Sequence, residues 1–99
     1  MNYALQLSEL AEADLAEAID WYRKIRPGLG NDLLLCVEQT INRILDNPNA
    51  FTVTRNGACR ALVRRFLYSV VFRVRGNHVE IEAVFHGSKD PAHLRDRIG

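Results

Sequence analysis

Cysteine and histidine are scarce in this sequence, and their spacing matches no metal-binding motif. Only two cysteines, Cys36 and Cys59, occur in 99 residues, and both lie in apolar surroundings. Scattered cysteines of this kind favour buried, reduced thiols over a disulfide or a metal site. The three histidines are equally dispersed and complete no zinc motif. We therefore expect neither a metal nor a cofactor.

Long apolar runs are also missing. No apolar stretch approaches the roughly 18 residues of a transmembrane helix, so we expect no membrane span. The first ten residues, MNYALQLSEL, lack the basic and long apolar regions of a secretory signal. Together with the reduced cysteines, these absences favour a cytoplasmic protein.

The composition is that of a small globular protein, with 47% apolar and 25% charged residues and without repeats or low-complexity segments. Its length predicts one domain that spans residues 1–99.

The net charge of +1 hides an asymmetry along the chain. Residues 1–50 carry four basic and eight acidic residues, whereas residues 51–99 carry nine basic and four acidic ones. No acidic residue occurs between Asp46 and Glu80, and six arginines do. This pattern favours a basic surface for a polyanion or an acidic partner, although pairing of the arginines with helix carboxylates is an alternative.

Local signals predict two helices that form an antiparallel hairpin. Ser8 can cap the first helix, which is predicted from about Glu9 to Lys24 and ends before Pro27-Gly28. The second is predicted from about Gly30 to Asp46 and is stopped by Asn47-Pro48. A connection this short favours an antiparallel pair.

Two aromatic residues, Trp21 and Tyr22, lie within the first predicted helix. We predict that both pack in the core, because aromatics at helical spacing usually do so. Nothing in the hairpin indicates catalysis.

Alternating and β-rich segments predict several strands. They are Tyr3 to Leu7, a short strand at Phe51 to Val53, Ala58 to Arg64, Phe66 to Val74 and Val79 to Phe85.

The last two strands are predicted to form a hairpin around Gly76-Asn77, with Arg73 opposite Glu80 and Leu67 opposite His86. Period-two alternation then defines two faces. The face predicted to meet the helices carries Phe66, Tyr68, Val70, Phe72, Val74, Val79, Ile81, Ala83 and Phe85. The opposite face, called the outer face below, is predicted to carry Arg65, Leu67, Ser69, Val71, Arg73, Glu80, Glu82, Val84 and His86.

Five segments together resemble the ParE branch of the RelE/ParE superfamily, the toxins of type II toxin–antitoxin modules. They are AEADLAEAIDWY (11–22), PGLG (27–30), NP (47–48), RRFLYSVVFRV (64–74) and AVFHGSKDP followed by the arginines of the tail (83–97). The resemblance implies an α+β fold of order β-α-α-β-β-β, with an antiparallel sheet packed on an α-helical hairpin. It also implies a cognate antitoxin that wraps the toxin. Leu67 and Leu94 depart from the proline and aromatic residue that many relatives have at these positions.

The RelE-type members of this superfamily are ribosome-dependent mRNA endoribonucleases. Such chemistry needs an acid, a base and cations for the phosphorane charge. The candidates for these roles are Arg65, Arg73, His86 and Lys89. The tail offers no tyrosine, and Tyr68 is predicted to point into the core, so the set is incomplete and favours a binding protein over an enzyme.

The ParE-type members inhibit DNA gyrase by binding, and this is the function that we expect: a growth inhibitor of the kind associated with plasmid stabilisation, neutralised by its antitoxin. A ribosome-dependent nuclease and a non-toxic antitoxin-binding homologue are the alternatives. The residues predicted to contact antitoxin or target are Arg60, Arg64, Arg65, Arg73, His86 and Lys89.

Overall fold

A computed structural model describes residues 3–54 and 56–86. In chain order the elements are β1 (Ala4–Leu7), α1 (Glu9–Ile25), α2 (Leu29–Asp46), a 3₁₀ turn (Pro48–Ala50), β2 (Thr52–Val53), β3 (Cys59–Leu62), β4 (Tyr68–Arg75) and β5 (His78–His86). Lys89 and the rest of the C-terminal tail lie outside the described residues.

Both helices agree with their predicted bounds to within one residue, because their ends are set by local signals. The Ser8 hydroxyl accepts a hydrogen bond from the Ala11 amide at 3.0 Å and donates one to the Glu82 carbonyl at 3.1 Å. It thus caps α1 and ties the helix to β5. Gly28 adopts φ +88° where the chain turns into α2, a conformation that glycine adopts without strain.

The sheet has the order β1-β5-β4-β3-β2. Neighbouring strands are antiparallel except β1 and β5, which are parallel. The α+β class and the order of elements are confirmed, with the two-residue strand β2 in addition to the expected β-α-α-β-β-β order. The expectation of a wholly antiparallel sheet is wrong, because β1 pairs in parallel with β5. In the described ranges, neither helix is long and apolar enough to cross a membrane.

Both helices pack on one face of the sheet, and the main core lies between the helices and that face. Its fully buried side chains include Leu33, Val37, Ile44, Val63, Val70, Phe72, Val79 and Ile81. Tyr22 packs against this core, as predicted, and its ring meets that of Phe66 edge-on at 5.2 Å. The prediction for Trp21 is wrong, because its side chain is 63% exposed. Both cysteines are buried and free, as predicted.

The β4–β5 hairpin follows the predicted register only near its turn. Arg73 lies opposite Glu80 and Phe72 opposite Ile81, but Val71 then lies opposite Ala83, so Glu82 is an extra residue in β5. Such a bulge reverses the alternation beyond it. Tyr68, not Leu67, is therefore opposite His86.

The bulge overturns the predicted faces of residues 83–86. Val84 belongs to the core beneath the helices, whereas Ala83 and Phe85 form a second buried cluster with Ala58 and Val71 on the outer face. His86 shares the face of Tyr68, and their rings meet edge-on at 5.4 Å. The prediction that His86 lies on the outer face is wrong.

The connection between β3 and β4 is a tight turn rather than two long strands. Arg65 and Leu67 have positive φ angles of 77° and 56°, and the Val63 amide donates to the Tyr68 carbonyl at 2.7 Å. The predicted strand to Arg64 therefore ends at Leu62, and the strand predicted from Phe66 begins at Tyr68.

Candidate functional site

Arg73 is the most constrained of the predicted site residues. Its Nε donates to Glu82 Oε1 at 2.6 Å, and its Nη1 donates to the Asn56 carbonyl at 2.7 Å. The side chains of the ion pair are only 24% and 19% exposed. Arg73 thus joins β4, the bulge and the turn before β3. It lies on the outer face as predicted, but its guanidinium is already engaged within the protein.

The remaining oxygen of Glu82 shows how closely this pair is enclosed. Glu82 Oε2 is buried and has no hydrogen-bond partner among the described residues. A buried carboxylate needs compensation, and Arg73 supplies the charge opposite it. Arg73 lies opposite Glu80 in the strand register, but its ion pair is with Glu82, and Glu80 instead forms an exposed pair with Arg75 at 3.1 Å.

Arg60 lies on the outer face at the strand next to β4. Its Nε donates to the buried Ser69 hydroxyl at 2.8 Å, and its guanidinium carbon lies 5.5 Å from the centre of the Phe85 ring. This arrangement has the geometry of a cation–π contact. Arg60 therefore covers Phe85 of the apolar cluster on the outer face, and Arg60 itself is exposed to solvent.

Arg64 and Arg65 project from the β3–β4 turn, on the α2 side of the molecule. Arg65 Nη2 lies 4.0 Å from Asp32 Oδ2 at the start of α2, and its guanidinium carbon lies 5.4 Å from the Phe66 ring centre. The prediction that Arg65 shares the outer face with Arg73 is therefore wrong. Arg64 lies beside α2 at a groove that also contains Arg43.

His86 lies neither on the outer face nor beside α2. It lies in a cleft between α1 and the ends of β4 and β5. The cleft has a volume of about 500 Å³, and we call it the aromatic cleft. Its lining residues are Asp14, Glu17, Ala18, Asp20, Trp21, Tyr22, Lys24, Tyr68, Val84, Phe85 and His86. The Asp14 carboxylate, one of these lining groups, accepts a hydrogen bond from the Val84 amide at 3.0 Å.

Tyr68 is the tyrosine nearest to a candidate acid–base residue, yet its environment disfavours ionisation. Burial raises the pKa of Tyr68 above its ordinary value, and the neighbouring Tyr22 raises it further. The phenol therefore stays protonated at neutral pH and is unsuited to act as a general base there. Burial likewise raises the pKa of the Cys59 thiol, with Arg73 opposing it in part, so this thiol is unsuited to be a nucleophile.

The structure does not bring the predicted catalytic side chains together. Arg73 is paired with Glu82 on the outer face, Arg65 lies near Asp32 of α2, and His86 contacts Tyr68 in the aromatic cleft. General acid–base catalysis needs such groups to converge within hydrogen-bond reach of one substrate. Lys89, the fourth candidate, is outside the described residues.

Two features of these surfaces were not identified from the sequence. Arg43 carries no motif, and only the folded structure brings it to the groove beside Arg64. Trp21 was assigned to the core, although the helical stripe Ala11, Ala18 and Tyr22 already fills the inward face of α1. Because consecutive residues of a helix point in different directions, the residue next to Tyr22 lies off that stripe. Helical geometry therefore predicts that Trp21 is exposed.

Comparison with known proteins gives a consistent family relationship. Residues 5–91 match the family model described as "ParE toxin of type II toxin-antitoxin system, parDE". Toxin ParE2 of Mycobacterium tuberculosis is 32% identical over 92 residues, which cover 92% of this chain and 88% of that protein, and the match is the same in two strains.

Two solved structures share the fold. One is the chromosomal ParDE toxin–antitoxin system from P. aeruginosa, with a TM-score of 0.76 and 19% identity over 85% of this chain and 95% of that one. The other is the toxin–antitoxin complex RelBE2 from Mycobacterium tuberculosis, with a TM-score of 0.59 and 22% identity over 87% of this chain and 99% of that one.

Proposed function

Since the chain belongs to the ParE toxin family of type II toxin–antitoxin systems, we propose that it arrests growth by binding DNA gyrase and that a cognate antitoxin neutralises it. The family supplies the class of protein, and the separation of the candidate catalytic groups supports binding over cleavage. That separation is the observation on which the proposal rests: Arg65, Arg73 and His86 occupy three different surfaces.

The state of each side chain adds to this support. Arg73 is held by two hydrogen bonds inside the protein, so using it on a phosphate would break an enclosed ion pair. Tyr68 has a raised pKa and is partly buried. A ribonuclease that used His86 as its acid or its base would need a second acid–base group nearby. Neither Arg73 nor Tyr68 is suited to that role.

A cognate antitoxin is proposed as the partner of the exposed arginines. Arg60, Arg64 and Arg65 expose basic surface around β3 and the turn that follows it. Acidic segments bind such surfaces through charge-assisted hydrogen bonds. Both structural neighbours are described as toxin–antitoxin systems or complexes, which supports the same assignment. Arg73, His86 and Lys89 are proposed as further contact residues for the antitoxin or for gyrase.

The proposal is tested by induced expression with and without a candidate antitoxin from an adjacent reading frame. Expression of the toxin alone should stop growth and induce the DNA-damage response, because a stabilised gyrase–DNA complex leaves broken DNA. Co-expression of the antitoxin should restore growth. Harmless expression would contradict toxicity, and arrest accompanied by mRNA cleavage without DNA damage would support the ribonuclease instead.

A further inference from the structure

We infer that the groove between α2 and the β3–β4 turn binds a carboxylate side chain from the antitoxin, an inference that rests on the proposed function. The groove has a volume of about 220 Å³. One stripe of α2 and one residue of the turn line it: Cys36, Gln39, Thr40, Arg43 and Arg64. We call it the two-arginine groove.

Arg43 is already oriented for such a contact. Its Nη2 donates to the Leu62 carbonyl at 2.9 Å, which fixes the guanidinium between α2 and the end of β3. A guanidinium has five N–H donors, so this bond leaves others available. Because the fork is held before a partner arrives, less side-chain entropy is lost on binding.

Arg64 supplies a second cation, for which the described residues provide no partner. It is exposed and makes no hydrogen bond, ion pair or ring contact with any residue within 3–54 and 56–86. The adjacent Arg65 is directed to Asp32 and Phe66 instead. None of the described lining residues is acidic. A carboxylate in the groove would therefore face two arginines, and no acid among the described lining residues would compete with it.

The surroundings favour a protein carboxylate over a nucleic-acid phosphate. Leu35 lies one helical turn before the lining residue Gln39 on α2 and is 56% exposed. An exposed apolar side chain beside an arginine pair suits an amphipathic acidic segment, since protein interfaces combine apolar contact with arginine anchors. A nucleic-acid backbone favours a continuous row of cations, whereas Arg60 is turned to Ser69 and Phe85.

Arg64→Gln tests the inference because this side chain makes no described internal contact, so its loss should leave folding intact. The probe is a fluorescein-labelled peptide with the most acidic segment of the antitoxin that neutralises this toxin in the co-expression test. We expect the substitution to weaken peptide binding by about 10- to 100-fold, the range of one charged hydrogen-bonded contact. Arg43→Gln should weaken it as well, with unfolding measured in parallel because Arg43 also contacts Leu62.

Arg23→Gln is the matched control, since Arg23 is an exposed arginine of α1 outside the groove. Replacing one Asp or Glu of the peptide should remove the difference between wild type and Arg64→Gln. Equal binding by the Arg64 and Arg23 variants would overturn the inference and leave the proposed function intact. So would an Arg64→Gln variant that loses binding only to a labelled DNA duplex. Failure of the wild-type toxin to bind the antitoxin would overturn the proposed function itself.

Discussion

Arg73 and Arg75 are two residues apart on β4, and each pairs with a glutamate of β5, yet their environments differ. The Arg73–Glu82 pair is largely enclosed, whereas the Arg75 side chain is 67% exposed. Exposed pairs are screened by water and contribute little, while loss of one member of an enclosed pair leaves a charge without compensation. The two positions therefore provide a matched comparison at the scale of single residues.

Arg73→Leu should lower the free energy of unfolding by about 3 kcal/mol, because Glu82 would keep a buried carboxylate without its cation. Arg75→Leu should cost less than about 1 kcal/mol. Urea unfolding measures both. The double variant Arg73→Leu/Glu82→Leu should recover part of the loss, and equal costs at positions 73 and 75 would contradict a structural role for Arg73.

Tyr68 predicts a pH dependence of stability. The pKa of its phenol is raised in the folded protein, chiefly by burial, so folding favours the protonated form. This contribution to stability is fully present below the unfolded pKa of about 10 and is lost as the pH rises through that value towards the folded pKa.

Tyr68→Phe should therefore lose less stability than the wild type when the pH is raised above about 10. The measurement is urea unfolding of both proteins from neutral to alkaline pH. Parallel curves for the two proteins across this range would show that the phenol is not protected from ionisation.

Gly30 sets the distance between the two helices. A Cβ at this position would lie 2.7 Å from the Ile19 carbonyl oxygen of α1. Glycine to alanine within a helix normally stabilises by about 0.5–1 kcal/mol. Here the clash is with backbone, and overpacking of this kind costs about 1–3 kcal/mol, so the unfavourable effect should win.

Gly30→Ala should thus destabilise the protein in urea unfolding by about 1 kcal/mol or more. Asn31→Ala, at an exposed position next to it, is the control and should be neutral or stabilising. A stabilised Gly30→Ala would mean that the helices can separate without cost at this crossing.

The helices could be predicted from the sequence because Ser8, Pro27 and Pro48 mark their ends locally. The sheet faces could not be predicted in full. Beyond the bulge, one register turns Val84 towards the helices, and the other turns Ala83 and Phe85 towards them. Both registers bury apolar side chains, so the sequence pattern does not distinguish them. One extra residue, Glu82, decides between them, and it moves His86 to the aromatic cleft.

The β3–β4 turn could not be predicted from the sequence for a different reason. Its positive φ angles are at Arg65 and Leu67 rather than at glycine, so the usual turn signal is missing. The individual arginines of the candidate site were identified from the sequence, but their grouping was not. Arg64 and Arg65 follow the turn to α2, and only the folded chain shows that Arg43 lies beside Arg64 there.

At the scale of the whole molecule, the basic side chains are divided among separate surfaces. The outer face carries Arg60 and Arg73, the two-arginine groove carries Arg43 and Arg64, and His86 belongs to the aromatic cleft. A protein that acts by binding can use such surfaces independently, whereas an enzyme needs its groups at one substrate. The separation of these groups therefore favours action by binding, as proposed for this toxin.

The claim is tested most directly with purified toxin, DNA gyrase and supercoiled DNA, assayed beside translating ribosomes that carry a defined mRNA. We predict that broken DNA accumulates in proportion to toxin bound to gyrase and that the mRNA remains intact. Cleavage of the ribosome-bound mRNA, with gyrase unaffected, would contradict the account and would require the separated side chains to assemble on the ribosome.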